Sequence, residues 1–252
     1  ALSHNCRVLV INLEMRDLEL RQRYWRGLVN APVTSGPIKV PFFRPDKETN
    51  ESIDSENVMW RVDHKIVNME GVSFTNTNDL MQRMKMRYKG GDIKLMSMPS
   101  YSTTWDDINA VLDNLEYYDS WVPSLLVVDY FDLMDADEKD YRQKINRIWA
   151  TGRKVALDRK IHVATVSQTN AQGNKNSELT LDSISEDQRK KSHVSMLCGM
   201  WADDNDRQNG IVRLKRLVGR GKPETFDGAI VLQNLDCGQW CIDSRLSSKV
   251  EG

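Results

Sequence analysis

Three acidic or amide residues of this sequence follow apolar segments, at positions where a strand would end. Glu14 follows the segment RVLVINL, Asp129 follows SLLVV, and Gln168 ends KIHVATVSQ. A carboxylate can orient an attacking water or hold a metal ion, and an amide can contact a phosphate. The three together predict chemistry on a phosphorylated substrate, although each alone is also typical of an ordinary strand end.

Strands and helices are predicted to alternate along the first 168 residues. Near-continuous apolar segments predict strands at 7–13, 92–98, 124–134 and 160–168. Amphipathic stretches between them predict helices: EMRDLELRQRYWRGLV, TTWDDINAVLDNLEYY with its threonine cap and acidic first turn, and residues 138–159. This alternation predicts an α/β fold with a parallel sheet flanked by helices on both faces. The strand ends would then meet at one crevice.

The pattern changes after Gln168. A polar segment at 169–181 precedes four short strand-like segments in hairpin succession, HVSMLCGM, GIVRLKRLV, GAIVLQNL and QWCIDS. They predict antiparallel strands that complete a mixed sheet. Residues 30–90 are the least regular, with turn-forming residues and a helix near 78–88, and we interpret them as a variable insertion. The predicted domain is one core over 1–246 with a tail at 247–252.

Composition narrows the class of protein. The 252 residues carry a net charge of -1 and are 40% hydrophobic, which excludes a uniformly basic DNA-coating protein but allows a local basic strip. Cys237 and Cys241 have no further ligands for a zinc site, so we expect thiols in a reducing compartment. With no secretory leader or long apolar run, we expect a cytoplasmic protein without a membrane partner.

The order of the segments resembles that of DnaB-type replicative DNA helicases, in the style of phage enzymes. VLVINLEM is similar to their strand that ends in Leu-Glu-Met, LLVVDYFDLM to their Walker B segment, and VATVSQTN to their Ser-Gln-x-Asn motif. GRGKPETFDGAIVL with the later GQWCID resembles their basic turn, strand and Gln-Trp ending. The resemblance implies a RecA-like P-loop NTPase core with ATP and Mg²⁺ as cofactors.

Carried over residue by residue, the resemblance assigns roles at the three strand ends. Glu14 would be the general base that orients the attacking water. Asp129 would hold Mg²⁺, through a water, beside the phosphates of ATP. Gln168 would contact the γ-phosphate and relay its presence to a DNA-facing loop.

A basic pair acting in trans is also implied. Arg220 and Lys222 would reach the ATP of a neighbouring subunit and stabilise charge in the transition state. The alignment needs a one-residue insertion here, so Lys215 or Arg216 is an alternative. A trans-acting pair implies a homo-oligomer, which in this family is a hexameric ring, and primase is a partner in the family.

Single-stranded DNA is the implied substrate of the ring. The resemblance places its contacts in the segment after Gln168, at Asn170 and Lys175, and in the following basic run, at Arg189, Lys190 and Lys191. Lysine, arginine and amide side chains suit contacts with backbone phosphates without base recognition. A basic run of this kind is equally typical of a solvated surface.

Two departures from the family pattern stand out. No G-x-x-x-x-G-K-[ST] phosphate-binding loop occurs, because Gly221-Lys222 is followed by Pro223. In the family this loop precedes the LEM strand, so we expect it upstream of Ala1. The chain would then be an N-terminally truncated core, inactive in ATP hydrolysis by itself. The second departure is Asp132, which stands where many relatives carry an amide.

Other functions share parts of this pattern. A RecA- or RadA-like recombination ATPase would use the same acids and glutamine. A non-catalytic RecA-fold scaffold would oligomerise or bind DNA without hydrolysing ATP. A two-metal nuclease using Glu14 and Asp129 fits poorly, because it needs a denser cluster of acids and histidines.

Overall fold

The computed structural model describes residues 5–46, 58–73, 75–88, 90–168, 190–220 and 228–250. In chain order the elements are β1 (Arg7–Asn12), α1 (Asp17–Val29), β2 (Gly36–Pro45), β3 (Trp60–Met69), α2 (Thr77–Arg87), β4 (Asp92–Ser97), α3 (Trp105–Asp119), β5 (Leu125–Asp129), α4 (Tyr141–Asp158), β6 (His162–Thr165), α5 (Lys190–His193), β7 (Met196–Trp201), α6 (Asp204–Gln208), β8 (Ile211–Gly219), β9 (Ala229–Asn234) and β10 (Gln239–Leu246). They fall into two compact units. Unit 1 comprises Ala1–Gln22, Met81–Asn170 and Ile184–Val194, and unit 2 comprises Arg23–Leu80, Ala171–Ser183 and Ser195–Gly252.

The parallel sheet of unit 1 has the strand order β4-β1-β5-β6. All three ladders are parallel, as the alternation of strands and helices predicts. Val8 to Asn12 of β1 are all buried. Because successive side chains of a strand point to opposite faces, both faces of the sheet are covered at this strand.

Helix α3 begins where the sequence predicts a threonine cap. The hydroxyl of Thr104 accepts a hydrogen bond from the backbone N–H of Asp107, and the Asp107 carboxylate accepts one from the backbone N–H of Thr104. Hydrogen bonds from the hydroxyl and the backbone N–H of Thr104 lower the pKa of Asp107 below its ordinary value. The reciprocal pair satisfies two N–H groups that the first turn of a helix leaves without partners, and it fixes the start of the helix.

The core of unit 1 joins β1 and β5 to helices α3 and α4. Trp105, Phe131 and Trp149 stack edge to face at its centre, with 5.2 Å between the ring centroids of each successive pair. Gly152 of α4 lies against this stack. A Cβ atom there would come within 2.8 Å of both Phe131 and Trp105, so only glycine lets the helix approach so closely.

Unit 2 contains an antiparallel sheet with the strand order β10-β9-β8-β7 and a separate ladder between β2 and β3. The four predicted C-terminal strands and their hairpin succession are confirmed. The expectation of a mixed sheet is wrong for the described residues, in which the antiparallel strands form a sheet of their own. A single sequence encodes each strand's pattern but not which edge the strand pairs with.

Residues 30–90 hold β2, β3 and α2, and α2 closely matches the helix expected near 78–88. The division into a core over 1–246, an insertion at 30–90 and a tail at 247–252 stays a prediction. Within the described part of the chain, no helix combines the length and apolar character needed to cross a bilayer.

Candidate functional site

The candidate site lies at the carboxyl ends of three adjacent parallel strands, β1, β5 and β6. Asn12 at the end of β1 is in register with Asp129 at the end of β5, and Val128 is in register with Thr165 at the end of β6. Glu14 follows β1 by two residues. Parallel strands end at one edge of the sheet, so the candidate acids share the crevice where ligands bind in open α/β sheets.

Asn12 shapes the turn that presents Glu14. Its side-chain amide donates to the backbone oxygen of Met15 at 2.6 Å and to the hydroxyl of Ser97 at 3.2 Å, and its Oδ1 accepts from the N–H of Met15 at 3.0 Å. Asn12 is buried whereas Glu14 is exposed. The asparagine therefore holds the backbone on both sides of Glu14 and leaves the carboxylate in solvent. Sequence reasoning missed this residue, although an asparagine before a tight turn is a known pattern.

Tyr130 connects the strand end of β5 with that of β6. The side-chain amide of Gln168 donates a hydrogen bond to the phenolic oxygen of Tyr130, at 3.2 Å. Burial raises the pKa of Tyr130, and the negative charges of Glu14, Asp132 and Asp129 raise it further. The phenol thus stays protonated at neutral pH, so it can donate its own hydrogen bond while it accepts one from Gln168. The sequence argument did not single out Tyr130.

A second link holds the same strand ends together. The hydroxyl of Thr165 accepts a hydrogen bond from the backbone N–H of Phe131 at 3.1 Å. On the other side of β5, the backbone oxygen of Asp129 accepts from the N–H of Leu13 at 2.9 Å. The backbone around Asp129 is therefore fixed by both neighbouring strand ends.

Lys190, predicted to contact DNA, is only 7% exposed. Its Nζ lies 2.7 Å from Oδ2 of Asp132 and donates to the hydroxyl of Ser167 at 3.0 Å. It also lies 5.4 Å from the ring centroid of Trp149, whose indole N–H donates to Asp132 at 3.3 Å. The extra negative charge of Asp132 is therefore paired inside the protein.

The donor set suits a metal shared with a nucleotide. In the described ranges, no group of three or more His, Cys, Asp or Glu side chains is arranged to hold a metal ion. Mg²⁺ in nucleotide-dependent enzymes commonly uses one or two carboxylates and completes its shell with water and substrate phosphates. Asp129, half-buried at its strand end, fits that limited role.

The remaining predicted residues are elsewhere or outside the described ranges. Arg220 lies in unit 2 just after β8, where its backbone N–H donates to the oxygen of Ser195 at 3.0 Å. The alternatives Lys215 and Arg216 lie within β8, and Lys191 is half-buried in α5. Four predicted residues lie outside the described residues: Asn170, Lys175, Arg189 and Lys222.

Two solved structures resemble this chain over most of its length. A DnaB-like replicative helicase, described together with its interactions with primase, matches with a TM-score of 0.62 and 11% identity, covering 92% of this chain and 51% of its own. A second structure, an isolated helicase ATPase domain, matches with a TM-score of 0.65 and 12% identity, covering 95% of this chain and 75% of its own. This chain thus spans about half the length of the first structure.

No family model and no curated protein sequence matches this chain. At the identities of the structural matches, the likeness establishes the fold. The chain has the RecA-like α/β fold of helicase ATPase domains, with the expected parallel sheet flanked by helices and the expected antiparallel C-terminal strands.

Proposed function

We propose that this chain belongs to the ATP-driven motor domain of a replicative DNA helicase of the DnaB type, which moves along single-stranded DNA. The observation that carries the proposal is the convergence of Glu14, Asp129 and Gln168 on three adjacent parallel strand ends. Their order along the chain and their residue types match the Leu-Glu-Met, Walker B and Ser-Gln-x-Asn elements. The shared fold supports the same assignment.

Each strand end has one task in this proposal. Glu14, exposed on its asparagine-fixed turn, orients the attacking water. Asp129 holds Mg²⁺ beside the phosphates of ATP, and the bound metal supplies charge neutralisation there. Gln168 senses the γ-phosphate, and its bond to Tyr130 sets the direction of its amide.

The remaining contacts extend beyond one subunit. Arg220 and Lys222 would act on the ATP of a neighbouring copy in a ring, most simply a hexamer. Asn170, Lys175, Arg189 and Lys191 would contact DNA phosphates. Primase is a reasonable partner, because the DnaB-like helicase that shares the fold is described with its primase interactions. A cytoplasmic location fits this function.

A non-catalytic RecA-fold scaffold is the main alternative, and the absence of a phosphate-binding loop from this sequence favours it. A RecA- or RadA-like recombinase would use the same strand ends. It would assemble on DNA without unwinding a forked duplex, so unwinding separates it from a helicase.

The test is steady-state ATP hydrolysis with and without single-stranded DNA. It uses this 252-residue chain and the longest product of the reading frame that contains it, called here the full-length product. We expect hydrolysis by the full-length product, stimulated by DNA and abolished by Glu14→Gln or Asp129→Ala. Glu14→Gln should still bind ATP, because the amide keeps the shape of the side chain and loses only the base.

Glu19→Gln is the matched control, because Glu19 is an exposed acid in the first turn of α1. Its hydrolysis rate should equal that of the wild type. A full-length product that is folded and oligomeric but inert would eliminate the motor function and favour the scaffold.

A further inference from the structure

The buried ammonium group of Lys190 joins two strand ends of the candidate site. It contacts Asp132, three residues after Asp129, and Ser167, the residue before Gln168. Asp132 accepts a second hydrogen bond from Trp149 of α4. Lys190 is therefore the common partner of the segments that carry the candidate metal ligand and the candidate phosphate sensor.

A charge held in this way is not available to DNA. The Lys190 side chain is 8% exposed and that of Asp132 is 15% exposed. Removing a buried ammonium group from its carboxylate partner leaves an unpaired buried charge, which is strongly unfavourable. A phosphate would have to displace Asp132 from inside the protein, whereas the half-buried Lys191 needs no such exchange.

Helix α5, which begins at Lys190, is also fixed to α4. A side-chain N–H of Arg153 donates to the backbone oxygen of Ser192 at 3.2 Å, and the His193 ring lies 2.9 Å from Oδ1 of Asn146. In the sequence, Ser167 and Lys190 flank the stretch 169–189 that holds most of the proposed DNA contacts. Both ends of that stretch are therefore anchored at the candidate ATP site.

We propose that Lys190 is a positioning residue that couples the ATP site to DNA binding, and that it does not contact DNA. It holds the Ser167–Gln168 segment against the Asp129–Asp132 segment, so a shift of Gln168 toward a γ-phosphate is transmitted to the start of α5. Such coupling is reciprocal, because DNA binding must then change nucleotide affinity by the same factor. The inference rests on the proposed function.

The test removes the ion pair without leaving a buried charge. In Lys190→Met/Asp132→Asn, the methionine keeps the apolar stem and the amide oxygen can still accept from Trp149. Replacing both partners of a buried pair is often close to neutral for stability, whereas Lys190→Met alone should lower the melting temperature. Lys144→Met/Asp135→Asn is the matched control, since that 2.6 Å ion pair also lies in unit 1.

The first readout is the side-chain amide resonance of Gln168 in the ¹⁵N NMR spectrum, assigned by its loss in Gln168→Glu. We expect it to shift and broaden in Lys190→Met/Asp132→Asn at an unchanged melting temperature, and to stay in place in the control pair. An unchanged resonance would show that Lys190 does not position Gln168 and would overturn the inference. This readout needs neither ATP hydrolysis nor DNA.

The second readout is the affinity of the full-length product for fluorescent oligo(dT), with and without a non-hydrolysable ATP analogue and Mg²⁺. In the wild type we expect the analogue to change the affinity by about 5- to 150-fold, the usual range of allosteric coupling. In Lys190→Met/Asp132→Asn this factor should fall below about twofold, while the slope of log affinity against log salt stays the same. A slope that weakens by about 0.7 would identify a lost phosphate contact and overturn the inference.

The two proposals fail in different ways. A wild type that binds DNA with no response to the nucleotide would contradict the proposed motor function together with the coupling. A wild type that responds, with an equal response in Lys190→Met/Asp132→Asn, would overturn only the role of Lys190.

Discussion

The side-chain amide of Gln168 donates a hydrogen bond to the phenolic oxygen of Tyr130, with 3.2 Å between the two atoms. The bond connects residues that follow two adjacent strands, β6 and β5. Because the amide nitrogen is committed to the phenol, the amide oxygen points elsewhere. The orientation of the candidate phosphate sensor therefore depends on a residue of the Walker B segment.

Removing the hydroxyl of Tyr130 should disturb hydrolysis more than nucleotide binding. In Tyr130→Phe of the full-length product we expect kcat for ATP to fall about tenfold, or ~1.4 kcal/mol of transition-state stabilisation. KM should change by less than about twofold, because the lost contact aligns Gln168 and leaves the ground-state contacts with ATP intact. Steady-state kinetics measures both constants.

Tyr118→Phe is the control for this substitution. Tyr118 is 76% exposed on α3 and stacks edge to face on Tyr117. Its hydroxyl is therefore dispensable for the site, and its kinetics should equal those of the wild type. Unchanged kcat in Tyr130→Phe would mean that Gln168 is aligned by other contacts.

The raised pKa of Tyr130 predicts a specific loss of stability at alkaline pH. Burial is the main cause of the shift, and nearby negative charge adds to it. The phenol in the unfolded chain releases its proton near the ordinary value of 10.0, below the pKa in the folded state. Between these two values the folded state binds more protons, so the free energy of unfolding falls as pH rises.

Urea denaturation at about pH 9 and about pH 11 measures this effect. The wild type should lose more stability across this interval than Tyr130→Phe, which has no proton to release at this position. Other lysines and tyrosines titrate in both proteins, so their contributions cancel in the difference. Parallel losses would show that the phenol is as solvated in the folded chain as in the unfolded one.

Much of unit 1 could be predicted from the sequence, because its strands and helices carry their own local patterns. The apolar segment before Asp129 forms β5, and the threonine before α3 caps that helix. The last predicted strand extends too far. It ends at Thr165, while Ser167 and Gln168 continue beyond it toward side-chain partners, Lys190 and Tyr130.

The burial of Lys190 could not be predicted, because its partner Asp132 is 58 residues away in the sequence. In a run of three basic residues, nothing local distinguishes the paired lysine from its neighbours. Asn12 was overlooked for a related reason. Its hydrogen bond to Ser97 depends on the pairing of β1 with β4, which a single sequence does not reveal.

Adding one methyl group at Gly152 should destabilise unit 1. The new Cβ of Gly152→Ala would lie 2.8 Å from Cζ of Phe131 and 2.8 Å from Cζ2 of Trp105. Overpacking of this kind costs about 1–3 kcal/mol, which exceeds or offsets the ~1 kcal/mol that alanine contributes to a helix interior. The free energy of unfolding in urea measures the net effect.

Lys154→Ala is the control on the same helix, at an exposed position. It should change the free energy of unfolding by less than about 0.5 kcal/mol. A more stable Gly152→Ala would mean that the aromatic stack can move aside without loss of packing.

Mixing two inactive variants tests whether Arg220 acts on a neighbouring subunit. A Glu14→Gln subunit keeps its Arg220, and an Arg220→Ala subunit keeps its own Glu14. Each variant alone should hydrolyse almost no ATP. If Arg220 acts in trans, an interface where the first variant supplies Arg220 to the second is complete, and random 1:1 mixing makes about a quarter of interfaces complete. ATPase activity should therefore appear on mixing and peak near equal proportions.

The same mixture discriminates among the basic candidates and tests oligomerisation. Replacing Arg220→Ala by Lys215→Ala or Arg216→Ala identifies the residue that acts in trans, because only its variant is inactive alone and rescued by the Glu14→Gln subunit. A residue that acts on the ATP of its own subunit gives no rescue, since every active site then lacks one of the two groups. Activity that appears only after subunit exchange would tie hydrolysis to a shared interface, as a ring-forming motor requires.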